Sequence, residues 1–156
     1  MNGNILINLV SDQPLPNLIP ALDPRFGVSE VIFLVTEQMR PQARRLARVL
    51  KRHDLPCRVW EDPAHPYDPQ DMEELCFRVV ESFSEGQSLL LNATGGTKIM
   101  ALAAANLFSS LERGNVIYVD TSQGLIHFLY PSREKAYRFE PVIGISDYLT
   151  AYGLHP

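Results

Sequence analysis

A glycine-rich loop in the second half of the chain carries the strongest chemical signal in the sequence. Residues 94–98, Thr-Gly-Gly-Thr-Lys, combine two hydroxyls, two glycines and one cation. Glycine lets backbone amides approach a ligand closely, and the first turn of a following helix presents unpaired N–H groups and a partial positive charge. This glycine loop predicts a site for a phosphate or another anion. The glycine pair alone also fits a tight strand-to-helix turn with no ligand.

Other familiar site motifs are absent from the sequence. Neither the Gly-x-x-x-x-Gly-Lys pattern of a P-loop nor the Gly-x-Gly-x-x-Gly pattern of dinucleotide-binding proteins occurs. The four histidines, His53, His65, His127 and His155, lack the spacing of metal ligands. We therefore expect no metal and no cofactor, and we assign no catalytic residue.

The elements that position the glycine loop follow from the apolar pattern. Short apolar runs, typical of strands buried in a parallel sheet, span residues 5–10, 31–35, 57–60, 89–92 and 116–120. A further strand over 125–130 follows a turn at 121–124, and a last one is predicted over 136–142.

Amphipathic segments between these runs predict helices. One apolar face comprises Ala43, Leu46, Ala47 and Leu50, and another comprises Met72, Leu75, Cys76, Val79 and Phe83. Asp68, which precedes Pro69, is expected to cap the second of these helices. A short helix is predicted over 17–22, and an almost wholly apolar helix over 97–111 is expected to end with Gly114 as its C-cap.

This alternation of strands and helices predicts an α/β fold in one domain spanning residues 1–156. We expect a Rossmann-like, doubly wound, mainly parallel sheet with helices on both faces and a C-terminal antiparallel hairpin. If the strand order is 3-2-1-4-5, the first and fourth strands flank the point where winding reverses, and a ligand crevice opens there. The loops that leave these two strands, 11–17 and 93–98, would then meet. Glu37 and Asp120, at predicted strand ends, either line this crevice or cap a helix or turn.

The residues of these two loops resemble the CARF family, the CRISPR-associated Rossmann fold domains. Residues 89–100, Leu-Leu-Leu-Asn-Ala-Thr-Gly-Gly-Thr-Lys-Ile-Met, are similar to that family's Asn-x-Thr-Gly-Gly-Thr-Lys-x-Met signature. Residues 6–17 are similar to the family's first strand and loop, notably in members that carry nuclease effectors. The resemblance covers essentially the whole chain.

The resemblance implies a homodimer that binds cyclic tetra- or hexa-adenylate across its two-fold axis, with cyclic tetra-adenylate favoured. Such a domain is a sensor in type III CRISPR antiviral immunity. It regulates an effector, which is either fused in a longer chain or supplied by a partner protein. The ligand-binding residues expected on this basis are Ser11, Asp12, Gln13, Asn17, Thr36, Glu37, Asn92, Thr94, Gly95, Gly96, Thr97 and Lys98. No effector is recognisable in these residues, so the chain is either part of a longer protein or a sensor that stands alone.

Composition limits the other functional classes. The formal net charge of −4 argues against broad binding to DNA, RNA or anionic membranes, and we expect no direct DNA binding. A basic run on the second helix, Arg40, Arg44, Arg45, Arg48, Lys51 and Arg52, is predicted to be a solvated face. No apolar segment is long enough to cross a bilayer, and two unpaired cysteines, Cys57 and Cys76, predict buried free thiols. We therefore expect a cytoplasmic location, with membrane association only if a further segment of a longer protein supplies it.

Two other functions remain open at this point. One is a ring nuclease that slowly cleaves the cyclic oligoadenylate, an activity found in some members of the family that the sequence resembles. The other is an unrelated nucleotide-binding enzyme of Rossmann type. Binding without efficient cleavage is favoured, because neither of the two loops contains a histidine to serve as a general base.

Overall fold

The computed structural model describes residues 3–133, 135–140 and 142–154, and these residues form a seven-stranded sheet with helices on both faces. The strands are β1 (Asn4–Leu9), β2 (Val28–Leu34), β3 (Cys57–Val59), β4 (Leu89–Asn92), β5 (Gly114–Asp120), β6 (Leu125–Tyr130) and β7 (Tyr137–Arg138). The helices are α1 (Leu15–Leu22), α2 (Arg40–Arg52), α3 (Pro69–Glu81), α4 (Lys98–Ser109) and α5 (Ile145–Ala151), with short 3-10 turns at Pro24–Phe26 and Glu37–Met39. His155 lies outside the described residues.

The strand order places β1 at the centre of the parallel part of the sheet. The order is β3-β2-β1-β4-β5-β6-β7, and the pairs from β3 to β5 are all parallel. The two remaining pairs, β5 with β6 and β6 with β7, are antiparallel. Winding reverses between β1 and β4, as the sequence predicted. The Rossmann-like, doubly wound fold class and its antiparallel C-terminal strands are confirmed.

Two cores, one on each face of the sheet, hold β1 in place. Ile5, Ile7 and Leu9 join the core formed with α3 and α4. Leu6 lies in the opposite core, formed with α1, α2 and α5. Each of these four side chains is at most 5% exposed, and full burial of one such side chain stabilises the fold by about 1.5–3 kcal/mol. The loop that leaves β1 therefore starts from a fixed position.

Two helix starts are held by side-chain caps. The carboxylate of Asp68 accepts hydrogen bonds from the amides of Gln70 and Asp71, both at 3.1 Å, which confirms the predicted cap of α3. The hydroxyl of Thr97 accepts from the amide of Met100 at 3.1 Å and so caps α4. Each cap contributes about 0.5–2 kcal/mol.

The prediction that Gly114 is a helix C-cap is wrong. The cap of α4 is Ser110, and Gly114 is the first residue of β5. A Cβ atom at position 114 would lie 2.7 Å from the carbonyl oxygen of Phe108. Glycine is needed here because the strand passes close to the end of α4, not because a left-handed cap is formed.

The C-terminal part of the structure differs most from the prediction. Of the last strand, predicted over 136–142, the described residues form only Tyr137–Arg138, which pairs with Leu125 and Ile126. Pro141 lies outside the described residues. Helix α5 was not predicted, and it packs on α2. Its Asp147 carboxylate accepts a bond from His53 Nε2 at 2.7 Å and lies 3.7 Å from the guanidinium of Arg52.

Candidate ligand-binding site

Four loops at the carboxyl edge of the sheet surround a cleft of about 630 Å³. We call it the edge cleft. It lies beside the point where winding reverses, which is where doubly wound folds bind ligands. Its lining residues are Val10, Ser11, Asp12, Thr36, Glu37, Gln38, Met39, Pro63, Ala64, His65, Pro66, Tyr67, Asp71, Gly96, Thr97 and Met100. Six of the twelve predicted site residues are in this group, namely Ser11, Asp12, Thr36, Glu37, Gly96 and Thr97.

A buried asparagine joins the glycine loop to the loop that leaves β1. The Oδ1 atom of Asn92 accepts from the amide of Thr94 at 3.2 Å and from its hydroxyl at 2.6 Å. The Nδ2 atom of Asn92 donates to Asn8 Oδ1 at 3.0 Å and to the carbonyl of Pro16 at 2.7 Å. One fully buried side chain thus fixes two loops relative to each other.

Asn17 has a similar position on the other side of this junction. Its Nδ2 donates to the carbonyl of Leu9 at 3.0 Å, and its own carbonyl accepts from Asn8 Nδ2 at 3.0 Å. The residue is 1% exposed. Asn17 and Asn92 were predicted as ligand contacts, but their side chains are buried beneath the loops. Both polar atoms of the Asn92 amide and the Nδ2 atom of Asn17 bond to protein atoms, while Oδ1 of Asn17 has no partner among the described residues. In this structure the two side chains position the loops.

Both glycines of the loop are required by its geometry. A Cβ atom at Gly95 would lie 2.0 Å from the carbonyl oxygen of Leu9, so the loop rests directly on the end of β1. Gly96 has φ of +75°, in the left-handed region that favours glycine. Gly95 is buried, whereas Gly96 faces the edge cleft.

The two threonines of the glycine loop use their hydroxyls inside the protein. The hydroxyl of Thr94 accepts from the amide of Val119 at 2.8 Å while it donates to Asn92. The hydroxyl of Thr97 donates to the carbonyl of Pro66, so it ties the glycine loop to the loop between β3 and α3. Thr97 lines the edge cleft. These bonds hold the loop backbone in one conformation.

A second hollow of about 380 Å³ lies on the other side of Ser11. Gln13 and Thr94 line it together with Asp120 and Ser122, and Ser11 lines both hollows. The hydroxyl of Ser122, at 2.7 Å, and a backbone amide lower the pKa of Asp120. Asp120 therefore caps a turn and also faces this hollow, which combines the two roles that the sequence left open for it.

The acidic residues Glu37 and Asp12 line the edge cleft, whereas the nearby basic residues Arg40 and Lys98 do not. Glu37 lines it and forms an ion pair with Arg40, whose Nε lies 3.0 Å from Glu37 Oε2. The guanidinium of Arg40 also donates to the carbonyl of Glu61 at 2.8 Å. Asp12 is exposed at the cleft wall. Lys98 is exposed at the first position of α4 and lines neither hollow.

The loop between β3 and α3 forms a wall of the edge cleft that the sequence reasoning missed. The amide of Ala64 donates to the carbonyl of Val35 at 2.8 Å, which anchors this loop to the end of β2. The amide of His65 donates to Asp71 Oδ2, and the amide of Tyr67 donates to His65 Nδ1, both at 3.1 Å. The missed signal was positional, because polar residues between β3 and the Asp68 cap must reach the same carboxyl edge as the other loops.

Features outside the cleft bear on the remaining predictions about metals, membranes, the basic run of α2 and the cysteines. Within the described ranges, no group of three or more His, Cys, Asp or Glu residues is arranged to hold a metal ion, and no helix of those residues is long and apolar enough to cross a membrane. Arg44, Arg48, Lys51 and Arg52 are exposed on α2, as a solvated face predicts, whereas Arg40 and Arg45 of the same basic run are half-buried. Cys76 is a buried free thiol, and burial raises its pKa to about 12. Cys57 is free but only half-buried.

Comparisons with known proteins identify relatives over the whole described fold. A family model described as the Card1 CARF domain matches residues 5–148. Can2 from Sulfobacillus thermosulfidooxidans, solved in complex with cyclic tetra-adenylate, is 31% identical with a TM-score of 0.82. The alignment covers 96% of this chain and 41% of the Can2 chain. No curated protein matches the sequence.

More distant structures share the fold. Protein VC1899 from Vibrio cholerae is 23% identical with a TM-score of 0.87, over 96% of this chain and 39% of that one. Csm6 from Enterococcus italicus, bound to cyclic hexa-2′-fluoro-hexa-dAMP, is 14% identical with a TM-score of 0.63, over 78% of this chain and 34% of that one. This chain therefore spans less than half the length of these solved relatives.

Proposed function

The chain belongs to the Card1 CARF domain family, and we propose that it is a sensor domain that binds a cyclic oligoadenylate, with cyclic tetra-adenylate favoured. The observation that carries this proposal is the edge cleft, which the glycine loop and the loop leaving β1 form at the point where winding reverses. Can2, whose aligned part is 31% identical to this chain, was solved with cyclic tetra-adenylate.

The glycine loop suits the phosphates of such a ligand. Its backbone amides and the first turn of α4 offer N–H groups and a partial positive charge, and Lys98 adds an exposed cation at the start of α4. Ser11 lies between the two hollows and Gln13 in the second one, so they offer polar groups across from the glycine loop. We assign Asn17 and Asn92 to positioning rather than to ligand contact.

A calorimetric titration tests this function. We expect binding of cyclic tetra-adenylate, with cyclic hexa-adenylate as the competing ring size. ATP serves as the control, because a general nucleotide-binding enzyme of Rossmann type would bind it. Tight binding of ATP with no binding of either cyclic nucleotide would contradict the sensor function.

A slow ring nuclease is the second candidate, and the position of His65 in the cleft favours it. In that reaction the ribose 2′-oxygen bonds to the adjacent phosphorus as the bond from phosphorus to the 5′-oxygen breaks. A 2′,3′-cyclic phosphate forms, the 2′-hydroxyl loses its proton, and the 5′-oxygen gains one. His65 Nδ1 already accepts from Tyr67 N–H at 3.1 Å, so in the neutral ring Nε2 carries the proton and cannot accept another. This arrangement predicts slow cleavage.

We propose that the functional unit is a homodimer. A cyclic ligand with repeating phosphates matches a two-fold axis, since each subunit can offer the same loop to equivalent groups. Leu102 is 72% exposed and Ile99 36% exposed on α4, directly after the glycine loop. This apolar surface supports an interface beside the ligand. Light scattering at micromolar concentration with cyclic tetra-adenylate should give a dimer, and a monomer would contradict the proposal.

The wider role that we propose is regulation of an effector in type III CRISPR antiviral immunity, with residues 1–156 as one sensing domain. The effector is either fused in a longer chain or a partner protein. A cytoplasmic location is consistent with two free cysteines, because disulfides are rare in that compartment. We propose that this domain makes no direct contact with DNA.

A further inference from the structure

The charges that line the edge cleft suit a nucleobase better than a phosphate. Asp12, Glu37 and Asp71 contribute carboxylates, and His65 is the one lining residue among those described whose side chain can become positive. A phosphate placed among three carboxylates would be repelled. A purine is uncharged, and it needs apolar contact on its faces with hydrogen-bonding groups at its edge.

The remaining lining provides that apolar contact. Met39, which is half-buried, lines the cleft, and Pro63, Ala64 and Pro66 line it on the β3–α3 side. The volume of about 630 Å³ is ample for a purine with its ribose. The phosphates would then lie toward the rim, at the glycine loop and Lys98.

Two hydrogen-bonding groups of opposite sense, the Asp71 carboxylate and the His65 ring, belong to residues that line the cleft on its β3–α3 side. Asp71 Oδ2 accepts from the amide of His65 at 3.1 Å. An ionised carboxylate has about four acceptor positions, so Asp71 retains capacity for a ligand N–H. In the neutral ring of His65, Nδ1 accepts from Tyr67 and Nε2 is a donor. The wall thus offers an acceptor and a donor.

We propose that His65 and Asp71 form the base-discriminating pair of this site and read the edge of an adenine. This inference rests on the proposed function and names the residues that select the ligand. Adenine carries an amino donor at position 6 beside a ring-nitrogen acceptor, which matches the acceptor of Asp71 and the donor of His65. Guanine and hypoxanthine carry an oxygen at position 6, which would oppose the Asp71 carboxylate.

Other carboxylates of the cleft fit this role less well. Glu37 is paired with Arg40, and the side chain of Glu37 is 70% exposed. Asp12 is exposed on the loop that leaves β1. Asp71 is half-buried and is bonded to the backbone of the same His65 that supplies the donor. Pro66 lies between His65 and Asp71 in the sequence, and its carbonyl accepts a hydrogen bond from the hydroxyl of Thr97. This bond helps to hold the two residues in place.

The test compares two cyclic probes that differ only at one edge of the base, cyclic tetra-adenylate and cyclic tetra-inosinate. Hypoxanthine carries an oxygen at position 6 and a hydrogen on N1, where adenine has an amino group and an acceptor nitrogen. Wild-type protein should bind the adenylate at least about tenfold more tightly, the effect of one lost hydrogen bond to a charged group. Asp71→Asn can still accept from His65 N–H, and its amide adds a donor toward an oxygen at position 6. This variant should reduce or invert the preference. His65→Ala should weaken adenylate binding by about tenfold.

Matched controls separate this role from general loop effects. Asp62→Asn alters a carboxylate of the same loop that pairs with Arg78 at 3.7 Å and does not line the cleft. His127→Gln alters a histidine of β6 that also lies outside the cleft lining. Both should bind both probes as wild type does.

The outcomes distinguish the pair from the function on which it rests. If the wild-type protein bound neither probe, the sensor function itself would be contradicted. Binding of both probes with equal affinity by the wild type would overturn the base-discriminating pair while the sensor function stands. Full retention of the adenine preference in Asp71→Asn, or unchanged adenylate affinity in His65→Ala, would overturn it as well. If Asp71→Asn fails to fold, the His65→Ala titration still decides.

Discussion

The glycine loop and the β3–α3 loop border the same cleft but are built in opposite ways. The first is held from beneath, because Asn92 is fully buried and Gly95 rests on the backbone of Leu9. The second presents its side chains outward, and Tyr67 is 69% exposed. On the function proposed above, the fixed glycine loop would offer backbone amides to the ligand, and the β3–α3 loop would offer side chains.

The largest effect is expected where the glycine loop rests on β1. In Gly95→Ala the new methyl group would lie 2.0 Å from the Leu9 carbonyl oxygen, so the loop must move. We expect the free energy of unfolding to fall by about 3 kcal/mol and ligand binding to be lost. Chemical denaturation and calorimetric titration with cyclic tetra-adenylate measure the two effects.

Gly86→Ala is the matched control for this substitution. No atom lies within 4 Å of a Cβ at that position, so stability and binding should stay within error of wild type. Wild-type affinity in Gly95→Ala would show that the close packing of the glycine loop on β1 does not shape the site.

The buried amide beneath the loops should have the next largest effect. Asn92→Ala removes the bonds to Thr94, Asn8 and the carbonyl of Pro16 and leaves buried polar groups without partners. Each unsatisfied group costs about 1–3 kcal/mol, so we expect about 2–3 kcal/mol of destabilisation in a urea titration.

A second asparagine on the protein surface provides the reference for that measurement. Asn106 is exposed on α4, where its amide lies 3.3 Å from Glu73. Asn106→Ala should change the free energy of unfolding by less than about 0.5 kcal/mol. Equal destabilisation by the two substitutions would remove the special role assigned to the buried amide.

The exposed cation should affect binding but not folding. Lys98→Ala should weaken ligand binding by about 1.5–3 kcal/mol, the range for loss of a hydrogen bond to a charged group. The fold should survive because the side chain is exposed at the start of α4. Lys51→Ala, on the exposed face of α2, is the control. Unchanged affinity in Lys98→Ala would remove this lysine from the site.

The smallest signal is expected for cleavage of the cyclic oligoadenylate. Positioning and charge stabilisation without a free general base should give cleavage well below the common enzyme range of about 1–1000 per second. Labelled cyclic tetra-adenylate incubated with excess protein, with products resolved over time, measures it. Complete conversion to linear fragments within seconds would make the protein a dedicated ring nuclease and would place catalytic groups on a wall here assigned to recognition.

The same two loops explain how much of the site the sequence could predict. The glycine loop is compact, and every residue from 94 to 98 is unusual against its apolar flanks, so its position after β4 could be predicted. On the opposite wall, His65 of the β3–α3 loop and Asp71 of the first turn of α3 belong to no comparable motif. Sequence also could not tell a buried amide from one that faces a ligand, since Asn17 and Asn92 differ from exposed asparagines only in what surrounds them.

The fold was predictable where burial alone decides structure. The apolar run of β4 predicted its bounds correctly, because both faces of that strand are covered. The start of β2 was missed since Ser29 is exposed and Glu30 half-buried at its uncovered end. Helix α5 was missed because seven residues give less than two full turns of apolar periodicity, and its Ile145 is 81% exposed.

The most direct test of the account is amide hydrogen exchange with and without saturating cyclic tetra-adenylate. If the edge cleft holds the ligand, exchange should slow in the loop leaving β1, in residues 94–98 and in the β3–α3 loop. Helix α5, which packs on α2 and contributes no residue to the cleft lining, serves as the internal reference and should exchange at the same rate in both states. Slowed exchange confined to these cleft loops is the result predicted here. Binding without protection of any of them would contradict the placement of the site.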